Sequence, residues 1–177
     1  MKSGNREPVE ITREELVKYL NEDLSREYQA IIAYVIYSQV LKGAEYMNIA
    51  KELEMHAAEE LEHALTLAKQ IDYLGEMATA TPKPVKLSDK PRAMLQFDLD
   101  NETETIRNYR ERVRQAESLG EYALAEAIRH ILSQEQEHQM DLANALGIEV
   151  PRAALANSSA DVTPGAGKSK NGGLSSK

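Results

Sequence analysis

Residues 23–34 read Asp23-Leu24-Ser25-Arg26-Glu27-Tyr28-Gln29-Ala30-Ile31-Ile32-Ala33-Tyr34, and the same pattern returns as Asp98-Leu99-x-x-Glu102-x-x-x-Ile106-x-x-Tyr109. A second motif, Glu60-x-x-His63, returns as Glu135-x-x-His138, and the step from Glu60 to Glu135 equals the step from Asp23 to Asp98. The spacing from Glu27 to Glu60 is likewise repeated from Glu102 to Glu135. Self-similarity at one fixed offset means that the chain is built from two like units.

Working outward from these segments, apolar residues recur at helical spacing, and Gly and Pro are confined to a few places. The pattern predicts four long helices, over about residues 12–42, 44–74, 91–118 and 121–146, and no strand. Thr12 with Glu15 has the spacing of a capping box, Gly43, Gly75, Gly120 and Gly147 stand where helices should stop, and Pro91 suits a first turn. The links around Gly43 and Gly120 are so short that each joins antiparallel neighbours into a helical hairpin. Residues 76–90 (EMATATPKPVKLSDK) are aperiodic, and fifteen residues reach up to ~50 Å when extended. A helix of about 30 residues spans ~45 Å. The link can therefore run the length of the bundle and set the second and third helices parallel. The expected fold is all-α, a four-helix bundle of two hairpins joined by a long crossover.

At about 100° per residue, Glu60 and His63 lie on one helix face, as do Glu135 and His138, and Tyr34 and Tyr109 lie two turns from Glu27 and Glu102 on theirs. Those faces are otherwise apolar: Leu20, Leu24 and Ile31 surround Glu27, Leu99 and Ile106 surround Glu102, Leu53 and Leu67 flank Glu60, and Leu132 and Leu142 flank Glu135. The carboxylates are thus expected inside, at similar heights in their helices. Four of them in one core would be strongly unfavourable alone. Two divalent cations, with both histidines neutral, would balance the charge. Oxygen-rich coordination with two histidines suits iron or manganese better than tetrahedral zinc. With 22 Glu in 177 residues, one Glu three positions before a His arises by chance about one time in eight. Two such pairs, each with a further Glu at the same distance upstream, make coincidence a poor account.

Composition sets the remaining bounds. The 177 residues contain no cysteine, which excludes disulfides, thiolate metal sites and a cysteine nucleophile. The longest mainly apolar run, residues 30–37, is too short for a bilayer, and the charged start MKSGNREPVE is unlike a signal peptide, so a cytoplasmic protein without a membrane partner is expected. A net charge of −8 disfavours nucleic acid and is compatible with cationic partners. Residues 1–147 carry 27 acidic and 17 basic side chains, so the bundle is more acidic than the whole. Residues 148–177, rich in Ala, Ser, Gly, Asn and Lys, read as a disordered C-terminal tail.

Over roughly residues 12–147 these motifs resemble the ferritin-like di-iron carboxylate superfamily, in which two helices each give a Glu and two each give Glu-x-x-His. Within it the chain is most similar to the bacterioferritins. The resemblance implies a ferroxidase centre holding two Fe ions per chain, with manganese as the other fitting metal. Fe(II) would be oxidised there with O2 or hydrogen peroxide and passed on as Fe(III) for storage and detoxification. The metal ligands would be Glu27, Glu60, His63, Glu102, Glu135 and His138. Glu60 and Glu135 would bridge, while Glu27 with His63 and Glu102 with His138 would complete one iron each. Tyr34 matches a tyrosine that the family keeps beside the centre as hydrogen-bond partner or electron donor, and is the catalytic candidate. Tyr109 reads as packing.

Asp23 and Asp98, one turn before the ligand glutamates, are candidates to orient a histidine N–H or else exposed helix charges. His56, on the ligand face of the second helix, reads either as a buried neutral side chain or as a guide for iron, and His130 falls off that face. Leu61 stands where bacterioferritins carry a haem-ligating Met directly after the Glu, so haem is not supported. The fifth short helix of the large cages is not evident after Gly147, which opens a smaller cage or a dimer. Tyr28, Ile32, Val35, Ile36 and Val40 give the first helix a second apolar flank, which predicts a homo-oligomer. The alternative function is a discrete di-iron or di-manganese enzyme that consumes peroxide without storing mineral, like rubrerythrins or manganese catalases.

Overall fold

The computed structural model describes residues 11–152. Among them are α1 (Arg13–Val40), α2 (Met47–Tyr73), α3 (Pro91–Ser118) and α4 (Tyr122–Leu146), with a short 3-10 turn, Ala44–Tyr46, before α2 and no strand. The helix starts and stops follow local chemistry. Thr12 Oγ1 accepts from Glu15 N at 3.2 Å and Thr12 N donates to Glu15 Oε2 at 2.9 Å, closing the capping box. Pro91 occupies the first turn of α3. Gly147 adopts the left-handed conformation (φ 67°) and Ile148 N donates to Ala143 O, which satisfies carbonyls at the end of α4.

The link between α1 and α2 is longer than expected. α1 stops at Val40 and α2 starts at Met47, instead of 42 and 44. Gly43 takes φ 124°, and Tyr46 N returns to Gly43 O, so the reversal consumes a 3-10 turn of residues that carry helix-like periodicity. Of the tail expected over 148–177, residues 153–177 lie outside the described residues.

α1 packs on α2 and α3 packs on α4 as the two hairpins, and the hairpins meet through α1–α3 and α2–α4 contacts, leaving α1 and α4, and α2 and α3, diagonal. The crossover runs beside α1. Asn21 accepts from Thr79 N (2.6 Å), Ser25 O from Lys83 N (2.9 Å), Gln29 Nε2 donates to Pro84 O (2.6 Å), and the Tyr37 hydroxyl donates to Lys86 O. Contacts spaced from residue 21 to residue 37 cover ~24 Å of helix. The strap thus follows α1 upward and delivers α3 parallel to α2.

The buried apolar side chains fall into two clusters. One contains Leu16, Leu20, Leu24, Leu67, Ile71, Tyr109 and Ile128, the other Tyr34, Leu53, Leu95, Leu99 and Leu142. Between them, at mid-height, sit the charged groups of the repeat.

Candidate metal centre

Each helix contributes from its middle. α1 gives Glu27, α2 Glu60 and His63, α3 Glu102, and α4 Glu135 and His138, and all six are at most 3% exposed. Their donor atoms form two overlapping groups, Glu27–Glu60–His63–Glu135 and Glu60–Glu102–Glu135–His138, with the atoms of each group within 4.8 Å of one another. Glu60 and Glu135 belong to both. His63 Nδ1 lies 3.2–3.3 Å from oxygens of Glu27, Glu60 and Glu135. His138 Nδ1 lies 3.1 Å from Glu60 and 3.4 Å from Glu135. The structure therefore brings together all six candidates from the repeat.

The outward nitrogens are held reciprocally. His63 Nε2 meets Gln134 Oε1 on α4 at 3.1 Å, and His138 Nε2 meets Glu59 Oε2 on α2 at 2.8 Å. Each contact gives Nε2–H an acceptor on the opposite helix and turns Nδ1 toward the centre, where a metal could replace its proton. The sequence reading missed both residues, although Glu59 and Gln134 directly precede Glu60 and Glu135 and so occupy matching places in the repeat.

Tyr34 donates its hydroxyl to Glu102 Oε1, and Tyr109 donates to Glu27 Oε1. Tyr109, expected as packing, is thus the partner of Tyr34 in a twofold-like arrangement. Asp23 does not orient a histidine. It accepts from Arg112 Nε at 2.7 Å, and Arg112 also donates to Gln115 at 2.8 Å. Asp98 is equally buried, and its Oδ2 has no hydrogen-bond partner among the described residues. Neither is an exposed helix charge. His56 is buried with Nε2 3.3 Å from Asp141 Oδ2, and His130 is exposed, as expected.

The electrostatics follow from this crowding. Burial, then the carboxylates of Glu60 and Glu135, push Glu27 well above the usual carboxylate range, and burial with the same two neighbours does so for Glu102. Burial also opposes charge on Glu60 and Glu135, but contacts from His138, His63 and the protonated neighbours outweigh it and hold both low. Burial would lower both histidines. The surrounding carboxylates reverse this, raising His63 far up and His138 to about 12. The crowding therefore favours the protonated forms of Glu27, Glu102, His63 and His138 and the charged forms of Glu60 and Glu135, so that opposite charges offset one another in the metal-free centre.

The donor set fits divalent cations. Glu27 Oε2, Glu60 Oε1, both oxygens of Glu135 and His138 Nδ1 are buried without satisfied hydrogen bonds, which is costly unless something electropositive sits among them. Four carboxylates shared by two cations, with one imidazole each, would satisfy them. A cavity of about 10 Å³, room for one water, reaches this point between α1 and α3 past Arg26, Gln29, Asn101 and Thr105.

Comparison with known proteins agrees with this geometry. A family model described as ferritin-like domain matches residues 17–149. A bacterioferritin of Brucella melitensis is 26% identical over 141 residues, covering 76% of this chain and 88% of the relative. A solved ferritin-like, di-iron carboxylate protein from Bacillus anthracis is 34% identical with a TM-score of 0.73, covering 76% of this chain and 96% of the other. A dodecameric thioferritin from Bacteroides fragilis, described as bacterioferritin-related, is 26% identical with a TM-score of 0.72, covering 77% and 87%. With the four-helix bundle, the doubled Glu and Glu-x-x-His motifs and a family match over most of its length, the chain belongs to the ferritin-like family.

Proposed function

We propose that the protein is a bacterioferritin-like ferroxidase that takes up Fe(II) as substrate and oxidises it to Fe(III) for storage and detoxification. The observation that carries the reading is the set of buried, unsatisfied carboxylate and imidazole atoms converging from all four helices. In this reading Glu60 and Glu135 serve both metal positions, Glu27 with His63 completes one, and Glu102 with His138 completes the other. Glu59 and Gln134 keep the histidines turned inward, and Tyr34 and Tyr109 brace the two outer carboxylates. The donors suit iron, with manganese as the fitting alternative. Two Fe(II) give one electron each, so O2 with two protons becomes hydrogen peroxide, or hydrogen peroxide with two protons becomes two waters. Leaving the carboxylates and imidazoles on metal binding, protons become available to that balance.

Storage needs assembly, and a homo-oligomer is part of the proposal. Ile32, Val35 and Val40 on α1 and Leu61 and Leu65 on α2 are 39–56% exposed, the kind of apolar surface that a second copy would bury. The Bacteroides relative is a dodecamer. No described helix is long and apolar enough to cross a membrane, which suits the proposed cytoplasmic setting.

The test is a stepwise Fe(II) titration of the metal-free protein in air, following oxidation and the iron that stays in solution with the protein. Loading far beyond about two irons per chain, the number six ligands hold, supports storage. Loading that stops near two while extra iron precipitates favours the discrete peroxide-consuming enzyme. No oxidation at all overturns the ferroxidase, and the alternative is then tested by peroxide turnover of the manganese-loaded protein.

A further inference from the structure

The cavity that reaches the four glutamates from between α1 and α3 is walled by Arg26, Gln29 and Ala30 of α1 and by Asn101 and Thr105 of α3. Arg26 is the one cation among these lining residues. Its Nη2 binds Glu104 of α3 at 2.7 Å, and the Glu104 side chain, 43% exposed against 23% for Arg26, stands outside the cavity wall. Arg26 Nε is buried and has no hydrogen-bond partner among the described residues. The guanidinium is thus latched across the opening to the opposite helix, with an N–H left over.

Packing alone does not account for a guanidinium here. Arg26 directly precedes Glu27, and the residue at the matching place in the repeat, directly before Glu102, is Asn101. An amide therefore serves the α3 side of the same opening. A cationic wall is also unsuited to leading Fe(II) toward carboxylates, since like charges repel strongly where protein rather than water surrounds them. The other polar wall groups are the amides of Gln29 and Asn101 and the Thr105 hydroxyl. Gln29 Nε2 is taken by Pro84 O at 2.6 Å, which leaves its carbonyl oxygen as an acceptor. Donors and acceptors around a cavity of about 10 Å³ suit a neutral molecule close to water in size that both donates and accepts. Hydrogen peroxide has that character, whereas O2 has no proton to donate.

We propose that the α1–α3 opening is the hydrogen peroxide port of the centre and that Arg26 is its specificity-determining residue, turning Fe(II) away by charge and offering peroxide a guanidinium N–H. The peroxide role rests on the proposed function, whereas the exclusion of cations does not. Peroxide that passes Arg26 meets two Fe(II) substrates among Glu27, Glu60, Glu102 and Glu135. Each Fe(II) gives one electron, the O–O bond breaks, and with two protons two waters form and leave by the same opening. Glu104 holds the guanidinium across the mouth, so the port filters without a moving lid.

The experiment uses the full chain with two changes at a half-buried helix position. Arg26→Gln removes the charge, and Arg26→Lys keeps the charge but not the fork of N–H groups. Without air, Fe(II) oxidation by added hydrogen peroxide should show a KM for peroxide raised about tenfold in both variants, with kcat retained. Co(II) binding to the metal-free chain, followed by its visible absorption, should be about tenfold faster in Arg26→Gln and unchanged in Arg26→Lys. An unchanged KM for peroxide in Arg26→Gln, or Co(II) binding no faster than in the wild type, overturns the port while wild-type iron oxidation still stands. Wild-type oxidation with O2 but none with peroxide also overturns it, and no oxidation with either overturns the proposed function as well.

Discussion

Tyr34 and Tyr109 exchange partners across the bundle. Tyr34 of α1 donates to Glu102 of α3, and Tyr109 of α3 donates to Glu27 of α1. Burial and the adjacent carboxylates push both hydroxyls well above their ordinary pKa, so both remain protonated donors. Each Phe variant would leave a buried carboxylate oxygen without its donor, at a cost of ~1–3 kcal/mol. Tyr34→Phe and Tyr109→Phe should therefore lower the melting temperature alike and slow iron oxidation by roughly tenfold, the size of one such bond. Stopped-flow oxidation of both variants checks this. If only Tyr34→Phe alters the kinetics, Tyr34 supplies more than a hydrogen bond.

Glu60 and Glu135 belong to both donor groups, so losing either should damage both metal positions. Glu60→Ala or Glu135→Ala should slow rapid Fe(II) oxidation by at least ~100-fold with helical circular dichroism retained. Wild-type rates in either variant would remove the centre from consideration.

Metal binding should release protons, because cations compete for four groups whose protonated forms the crowding favours: Glu27, Glu102, His63 and His138. A pH-stat titration near neutrality should record about four protons per chain at saturation with a divalent cation. Release near zero would show that the groups are deprotonated before the metal arrives.

The same groups set how the metal-free fold responds to pH. His138, raised to about 12, keeps a proton in the folded chain that the unfolded chain loses above about 6.5. Its stabilisation is complete below that value and is lost as pH climbs toward 12. Glu27 and Glu102, raised from 4.5, act in the same direction. His56, lowered to about 4, acts oppositely, but only between there and 6.5. Chelator-treated protein should consequently melt at a lower temperature at about pH 9 than at about pH 7, and metal should narrow that difference. Calorimetry at the two pH values with and without Mn(II) decides it.

Arg112 is 7% exposed and holds Asp23 at 2.7 Å, with its guanidinium over the Tyr19 ring. Arg112→Met would leave a buried acid without its cation and should destabilise by about 3–5 kcal/mol. Adding Asp23→Leu should recover most of that loss in urea unfolding. A double variant no better than the single would mean that Arg112 acts through packing.

The six centre residues were legible because helical periodicity and the internal repeat both pointed at them, and each sat on an apolar stripe where a solvated Glu does not belong. Glu59 and Gln134 escaped because polar residues beside a ligand look like the wet side of a helix until the opposite helix is in place. Asp23 was misread for a similar reason. Its partner Arg112 aligns in the repeat with Tyr37, so symmetry hid a contact that only one half makes. The end of α1 was overrun because residues 41–46 keep helix-like periodicity through a turn that Gly43 closes.

The strap along α1 has a consequence for how the two halves age. Two separate hairpins pairing about a dyad would be locked into identical sequences, and both metal positions would have identical surroundings. Tied into one polypeptide, the halves drift independently: one flank of the centre now carries a guanidinium against Asp23, while the other carries a phenol at the matching place and leaves Asp98 Oδ2 without a hydrogen-bond partner among the described residues. Two irons held in such surroundings would be chemically distinguishable, so they would fill in order and differ in reduction potential.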